Sequence, residues 1–116
     1  MDKPKINSYK FGEIVVDNIT YRKDLFITEY GVQSNWCREK GHHISLNDLD
    51  VVINRHPEIL VIGTGSFGRV VIDESVKSFL DTAGIKLLEF KTDTACKTYN
   101  ELSNEHDIIA ALHLTC

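Results

Sequence analysis

Three glycines in the middle of the chain have the spacing of a dinucleotide-binding loop. Gly63-x-Gly65-x-x-Gly68 follows an apolar run, which is where such a loop stands after a strand. Pyrophosphate binding needs a helix that begins inside the glycine motif, so that its free amides face the phosphates. Here a β-branched stretch, 69–72, comes next, and the first N-cap residue is Asp73, whose carboxylate would repel phosphate. We therefore predict a sharp turn after a buried strand and no nicotinamide or flavin cofactor.

Two adjacent histidines, His42 and His43, are the next residues that could do chemistry. In an extended segment neighbouring side chains point to opposite sides, which is poor geometry for holding one metal ion. Cys37 could join them in a loop, but the spacing typical of a zinc site is missing. The sequence therefore predicts no metal site.

The last four residues place an imidazole close to a thiol, in His113-Leu114-Thr115-Cys116. A base and a nucleophile at this distance are one interpretation. The other is structural, with His113 ending a strand and Cys116 acting as a small buried apolar group. A nucleophile on the last residue has scaffold on one side only. We therefore assign no catalytic residue.

The segment from Trp36 to His42 combines an indole, the Arg38 guanidinium and an imidazole in a predicted loop. It could bind an anion or a partner, or it could be a surface loop with Trp36 in the core; the sequence favours neither, because loops carry both roles. In a ligand site, Arg38 would bind the anion and His42 would act as an acid or base. Arg38→Ala should then abolish binding and leave the melting temperature nearly unchanged.

Such a site would lie at the carboxyl ends of strands, where this loop and the glycine loop could meet. Thr92, which also follows a predicted strand, would face the same edge. The candidate ligand or partner site consists of Trp36, Arg38, His42, Gly63, Thr64, Gly65 and Thr92.

The elements that must position these residues change in type near the middle of the chain. Short runs of β-branched and aromatic residues at 11–16, 19–21 and 25–27 predict a meander of antiparallel strands. A looser stretch, 29–43, follows. Apolar runs at 59–62, 85–90 and 108–114 predict further strands, the first of them buried on both faces because it has no polar alternation.

Three helices are predicted between and before these later strands. Ser45 and Asp48 resemble a capping box, and the helix that follows should stop at Pro57. The second helix should run from Asp73 to Gly84. The third helix should begin at Thr92 as its N-cap. The spacing of apolar residues predicts which side chains face inward: in the first helix Leu46, Leu49, Val52 and Ile53, and in the third helix Ala95, Cys96, Tyr99 and Leu102. The order predicts an α/β domain with parallel strands in a mixed sheet.

Composition limits the classes of function. The 116 residues suit a single domain, 1–116, and the net charge of −4 argues against nucleic acid as the main partner. No secretory signal is recognised and the apolar runs are too short for a membrane span. The three cysteines have no CxxC spacing, which suits a reducing compartment. We expect a cytoplasmic protein with no membrane partner.

Several short motifs occur in order along almost the whole chain: Phe11-Gly12-x-Ile14-Val15-Val16-Asp17, Tyr21, Asp24-Leu25, Trp36-Cys37-Arg38-x-x-Gly41-His42, Leu60 through Gly65, Gly84-Ile85, Thr92 through Ala95, Tyr99-Asn100-x-Leu102 and His113-x-Thr115-Cys116. Together they resemble the Mth938-domain proteins, also called the DUF498 family. Two positions depart from the pattern, since many relatives have an aromatic residue in place of Cys37 and a glycine near Glu105.

The resemblance implies a three-layer fold with a central mixed five-stranded sheet, one strand antiparallel to the rest, flanking helices and an extra N-terminal β element. It implies no established chemistry and no catalytic residues to transfer. Animal relatives have been linked to assembly of mitochondrial complex I and to adipocyte differentiation, roles typical of interaction proteins. We therefore expect a non-catalytic protein-interaction or assembly module with an unidentified protein partner. The alternative is a small anionic-ligand-binding protein or enzyme, with its site near the 63–68 and 36–42 loops.

Overall fold

The structure, a computed structural model, describes residues 3–116 and folds them into ten strands and three α-helices. In chain order these are β1 (Ile6–Lys10), β2 (Glu13–Val16), β3 (Ile19–Tyr21), β4 (Leu25–Thr28), β5 (Gly31–Ser34), β6 (His43–Ile44), a 3-10 helix (Leu46–Leu49), α1 (Asp50–Arg55), β7 (Ile59–Thr64), β8 (Val71–Ile72), α2 (Glu74–Ala83), β9 (Lys86–Phe90), α3 (Thr92–Leu102) and β10 (Ile108–His113).

Five strands form the central sheet, in the order β5-β4-β10-β7-β9. Strand β7 pairs in parallel with both β10 and β9, whereas β4 runs antiparallel to β10 and to β5. This is the predicted mixed sheet with one antiparallel strand. The central strands β7 and β10 are buried along their whole length because layers cover both of their faces, whereas the edge strand β9 carries exposed polar residues.

Each face of the central sheet has its own hydrophobic core. On one face, α3 and the small sheet β1-β2-β3 close over residues such as Ile14, Tyr99 and Leu112. On the other face, α1 and α2 pack over residues such as Leu60 and Val76. The result is the three-layer arrangement with an extra N-terminal β element that the motifs predicted.

Local signals set the ends of the helices. Helix α2 begins after Asp73 and ends at Gly84, which adopts φ +76°, as predicted. The predicted first helix begins as a 3-10 turn, where the Asp48 carboxylate accepts the Ser45 N–H at 2.8 Å. It continues as α1 and stops before Pro57. The prediction is wrong for Ile53, which faces outward.

Four strands lie outside the predicted elements, namely β1, β5 and the short strands β6 and β8, which pair with each other in parallel. Strand β1 has one fully buried residue, Ile6, so its sequence carries little apolar periodicity. Strand β5 falls within the stretch 29–43 that was predicted to be irregular. The predicted strand at 11–16 is shorter, since Phe11 and Gly12 form the turn between β1 and β2. In each case pairing with a neighbouring strand, not local sequence, makes the element.

Strand β7 should show the slowest amide hydrogen exchange in the chain, together with β10. All six residues of Ile59–Thr64 are buried, and the strand is paired on both sides. Its amides can exchange only through large-scale opening. Mass spectrometry should show that the amides of this segment exchange much more slowly than those of the edge strand β5. Similar rates in the two strands would contradict the topology.

Candidate functional site

The carboxyl ends of β7, β9 and β10 meet at one edge of the sheet, and Thr92 ties them together. Its hydroxyl donates to the carbonyl of His113 at 2.6 Å and accepts the N–H of Gly65 at 2.9 Å. The prediction that Thr92 caps α3 is therefore wrong, because Lys91 is the N-cap residue. Thr92 uses its hydroxyl to fasten α3 to the strand ends.

Close packing at this edge explains two of the three glycines. A Cβ on Gly63 would lie 2.8 Å from Thr92 Oγ1, and a Cβ on Gly65 would lie 2.7 Å from the Thr115 carbonyl oxygen. Gly65 also adopts φ +104°, a conformation that favours glycine. The turn leads into β8, and the next helix starts only at Glu74, as the late N-cap predicted.

A buried ion pair lies beside the end of β10. Asp24 Oδ2 is 2.6 Å from His113 Nδ1 and 2.9 Å from Arg38 Nη1, while Asp24 Oδ1 accepts the Leu114 N–H at 2.8 Å. The Arg38 side chain is only 5% exposed, and its Nη2 and Nε donate to the Gly41 carbonyl at 2.9 and 3.2 Å. The guanidinium is therefore hydrogen-bonded to groups of the protein itself.

The geometry assigns a proton to His113. A carboxylate is an acceptor only, so a 2.6 Å contact with Asp24 requires the proton on Nδ1. Arg38 Nη2, 3.1 Å from the same nitrogen, is then a neighbouring donor rather than a bonded partner. The other ring nitrogen, Nε2, faces the Thr115 hydroxyl at 3.5 Å. An imidazole oriented by a carboxylate is suited to acid–base chemistry.

The pKa of Asp24 is held below its ordinary value. Burial by itself raises the pKa of this carboxyl, but the hydrogen bonds from His113, from the Leu114 N–H and from Arg38 outweigh it and lower the pKa. The charged form of Asp24 is thus the form that the fold stabilises.

Acid should remove this stabilisation. The folded pKa of Asp24 lies below the unfolded value of about 3.9, so its contribution is fully present above that pH and is lost as the pH falls through the lower folded pKa. The difference in unfolding free energy between wild type and Asp24→Asn should therefore stay nearly constant above about pH 5 and shrink as the pH falls below about 4. Urea unfolding at several pH values measures it, and a difference that stays constant at low pH as well would contradict the assignment.

Trp36, the aromatic residue of the predicted loop, belongs to the core. The indole is buried against Phe26, and its N–H donates to the Asp48 carbonyl at 2.9 Å. The Arg38 guanidinium lies over the indole, 4.7 Å from the ring centre. His42 is exposed, with its ring edge-on to His113 at 6.4 Å.

The contacts join the seven candidate residues into one cluster. Thr64, at the end of β7, is paired with His113 and donates its hydroxyl to the Phe90 carbonyl at 3.0 Å.

The sequence did not predict Asp24 as a site residue, although a carboxylate directly before the apolar run of β4 was a usable signal. Thr115 was missed as well. It lines a cleft together with Cys37, and its hydroxyl lies 3.5 Å from Nε2 of His113, the imidazole for which a pairing with the Cys116 thiol was one of two interpretations.

A curated relative and two solved structures resemble this chain. The "13 kDa major membrane protein" of Francisella tularensis subsp. holarctica (strain LVS) is 33% identical over 69 residues, which are 60% of this chain and 55% of that protein. The chain thus spans about half the length of this relative. No helix within residues 3–116 has the length and hydropathy needed to cross a membrane.

The fold is shared more widely than the sequence. A conserved hypothetical protein, PH1505 of Pyrococcus horikoshii OT3, superposes with a TM-score of 0.87 at 23% identity, covering 97% of this chain and 99% of that one. A protein described as an outer membrane protein of Bartonella henselae superposes with a TM-score of 0.82 at 20% identity, covering 98% and 97%. A family model matches residues 6–113. The chain therefore belongs to the DUF498/DUF598 family, described as proteins of unknown function.

Proposed function

We propose that the chain is a non-catalytic protein-interaction module that docks through an aromatic surface formed by Phe11, Phe67 and Arg69. The two phenylalanines are 56% and 60% exposed, and their rings lie 6.4 Å apart. The Arg69 guanidinium lies over the Phe67 ring at 5.6 Å. This exposed aromatic pair is the observation that carries the proposal, since apolar and Arg side chains in one patch are typical of interface anchors.

The aromatic surface is held rigidly by the segment that follows β10. Gly12, next to Phe11, donates its N–H to the Leu114 carbonyl at 2.8 Å. Ser66, next to Phe67, donates its N–H to the Thr115 carbonyl at 2.9 Å. Both turns are therefore fastened to adjacent residues of one segment, and a partner would lose little affinity to ordering them.

The candidate residues Trp36 and Arg38 are less suited to binding a partner. The Trp36 indole N–H and the Arg38 guanidinium already have partners within the fold. We therefore assign the contact with a partner to Phe11 and Phe67 rather than to the candidate residues Trp36 and Arg38. Burying one such phenylalanine in an interface is worth roughly 1.5–3 kcal/mol. We place this function in the cytoplasm, since the three free cysteines suit a reducing compartment.

Serine at both phenylalanine positions tests the proposal. Affinity capture from a native lysate, quantified by mass spectrometry, should recover partners with wild type and lose them with Phe11→Ser/Phe67→Ser. The matched control is Tyr30→Ser, which removes a 74% exposed aromatic residue that stacks on Arg55. This variant should retain the same partners, and all three proteins should keep similar melting temperatures. Recovery of the same partners with the double variant would contradict the proposal.

The second candidate, an anionic-ligand-binding protein or enzyme, draws support from the Asp24–His113 pair. A carboxylate orients the imidazole, and the exposed His42 ring stands beside it. A thermal-shift screen of metabolites, followed by turnover assays, tests this function. A metabolite turned over by wild type and spared by His42→Ala or Cys116→Ala would replace the interaction module with an enzyme.

A further inference from the structure

We infer that the partner of the aromatic surface is an acidic segment that carries an apolar side chain. The inference rests on the interaction function proposed above and adds the chemistry of the partner. It comes from two cations, one over the Phe67 ring and one alongside Gly68 in the same turn, in a chain whose net charge is negative.

The two cations are Arg69 and Lys91. The guanidinium of Arg69 lies over the face of Phe67, 5.6 Å from the ring centre. The stem of Lys91 passes Gly68, and a Cβ on that glycine would lie 3.3 Å from Lys91 Cγ. Within residues 3–116 neither cation has a carboxylate within ion-pair distance. Both charges are thus available to a partner, Arg69 at the Phe67 ring and Lys91 next to Gly68.

Aromatic rings and free cations together select the partner. An apolar side chain would fill the space around Phe11 and Phe67, while carboxylates on the same segment would reach Arg69 and Lys91. A basic segment would place like charges together, and a neutral one would leave the cations without a counter-charge. A bilayer is a poorer occupant, because recognition of anionic lipid typically uses clusters of roughly four to eight basic residues.

Peptide binding to the whole chain tests the inference. The probe is a fluorescein-labelled glutamate-rich peptide carrying one tryptophan and two leucines, and its counterpart has lysine at every glutamate. Fluorescence anisotropy should show at least about tenfold tighter binding of the acidic peptide. Arg69→Glu/Lys91→Glu should weaken that binding about tenfold or more, and Phe67→Ser about thirtyfold, the effect of losing an anchor residue.

The other exposed arginine–aromatic pair provides the control. Tyr30→Ser/Arg55→Glu alters a stacked pair of the same chemistry, 4.7 Å apart, and should leave peptide binding unchanged. Circular dichroism melts confirm that each variant is folded. Vesicles of phosphatidylcholine with phosphatidylserine form a further arm, and wild type should not sediment with them.

Three results would overturn the inference: no binding of the acidic peptide, equal binding of both peptides, or sedimentation with the anionic vesicles. Lysate capture separates this failure from that of the proposed function. If capture is lost in Phe11→Ser/Phe67→Ser but the peptides are not discriminated, the surface is an interface and only the acidic partner is wrong. If capture survives that substitution, the proposed function fails as well.

Discussion

Asp24→Asn is expected to lower the free energy of unfolding by about 3–5 kcal/mol, the typical effect of removing one partner of a buried ion pair. The carboxylate of Asp24 is the acceptor for Arg38, for His113 and for the Leu114 N–H. An amide in its place would leave the buried guanidinium without a counter-charge. Urea unfolding at neutral pH, monitored by circular dichroism, measures the loss.

A matched carboxylate and a double variant complete this experiment. Asp81→Asn removes an exposed carboxylate on α2 and should change stability by less than about 0.5 kcal/mol. Arg38→Ala should also destabilise the fold, so the expectation of an unchanged melting temperature is revised. The double variant Asp24→Leu/Arg38→Met should recover part of the unfolding free energy that Asp24→Asn loses, because neither charge of this pair is then buried without its partner. Stability of Asp24→Asn within the control's range would contradict the structural role of the pair.

Gly65→Ala is expected to destabilise the fold by about 3 kcal/mol or more, since two independent costs add. The residue adopts φ +104°, which a side chain disfavours. Its Cβ would also lie 2.7 Å from the Thr115 carbonyl oxygen and 2.9 Å from the His113 ring, neither of which can move without disturbing the end of β10. The same unfolding experiment measures the effect.

Gly41 offers the comparison for this substitution. A Cβ at Gly41 meets no atom within 4 Å, and the residue does not have a positive φ. Gly41→Ala should therefore change stability by less than about 0.5 kcal/mol. If alanine were tolerated equally at both positions, the close approach of Gly65 to the C-terminal segment would be wrong.

Elements with complete local signals were predictable from the sequence. Residues 59–62 of β7 are uniformly apolar, and α2 has an N-cap at Asp73, an apolar stripe and a glycine at its end, so that pattern and capping agree. The ordered motifs also predicted the family and its three-layer fold. Strands β1, β5, β6 and β8 were missed because a short strand, or an edge strand with mixed polarity, forms through pairing with its neighbour, and its own residues do not show that pairing.

The sequence by itself determined which reactive side chains exist and at which strand ends they stand. It placed Gly65, Thr92 and His113 after apolar runs, and parallel strands must bring such ends to one edge of the sheet. The tertiary structure alone decided what each group does there. Asp24 and His113 are 89 positions apart, and only the antiparallel pairing of β4 with β10 brings them into contact. The same carboxylate pairs with Arg38, whose side chain is thereby buried, because burial and charge pairing depend on distances in space rather than along the chain.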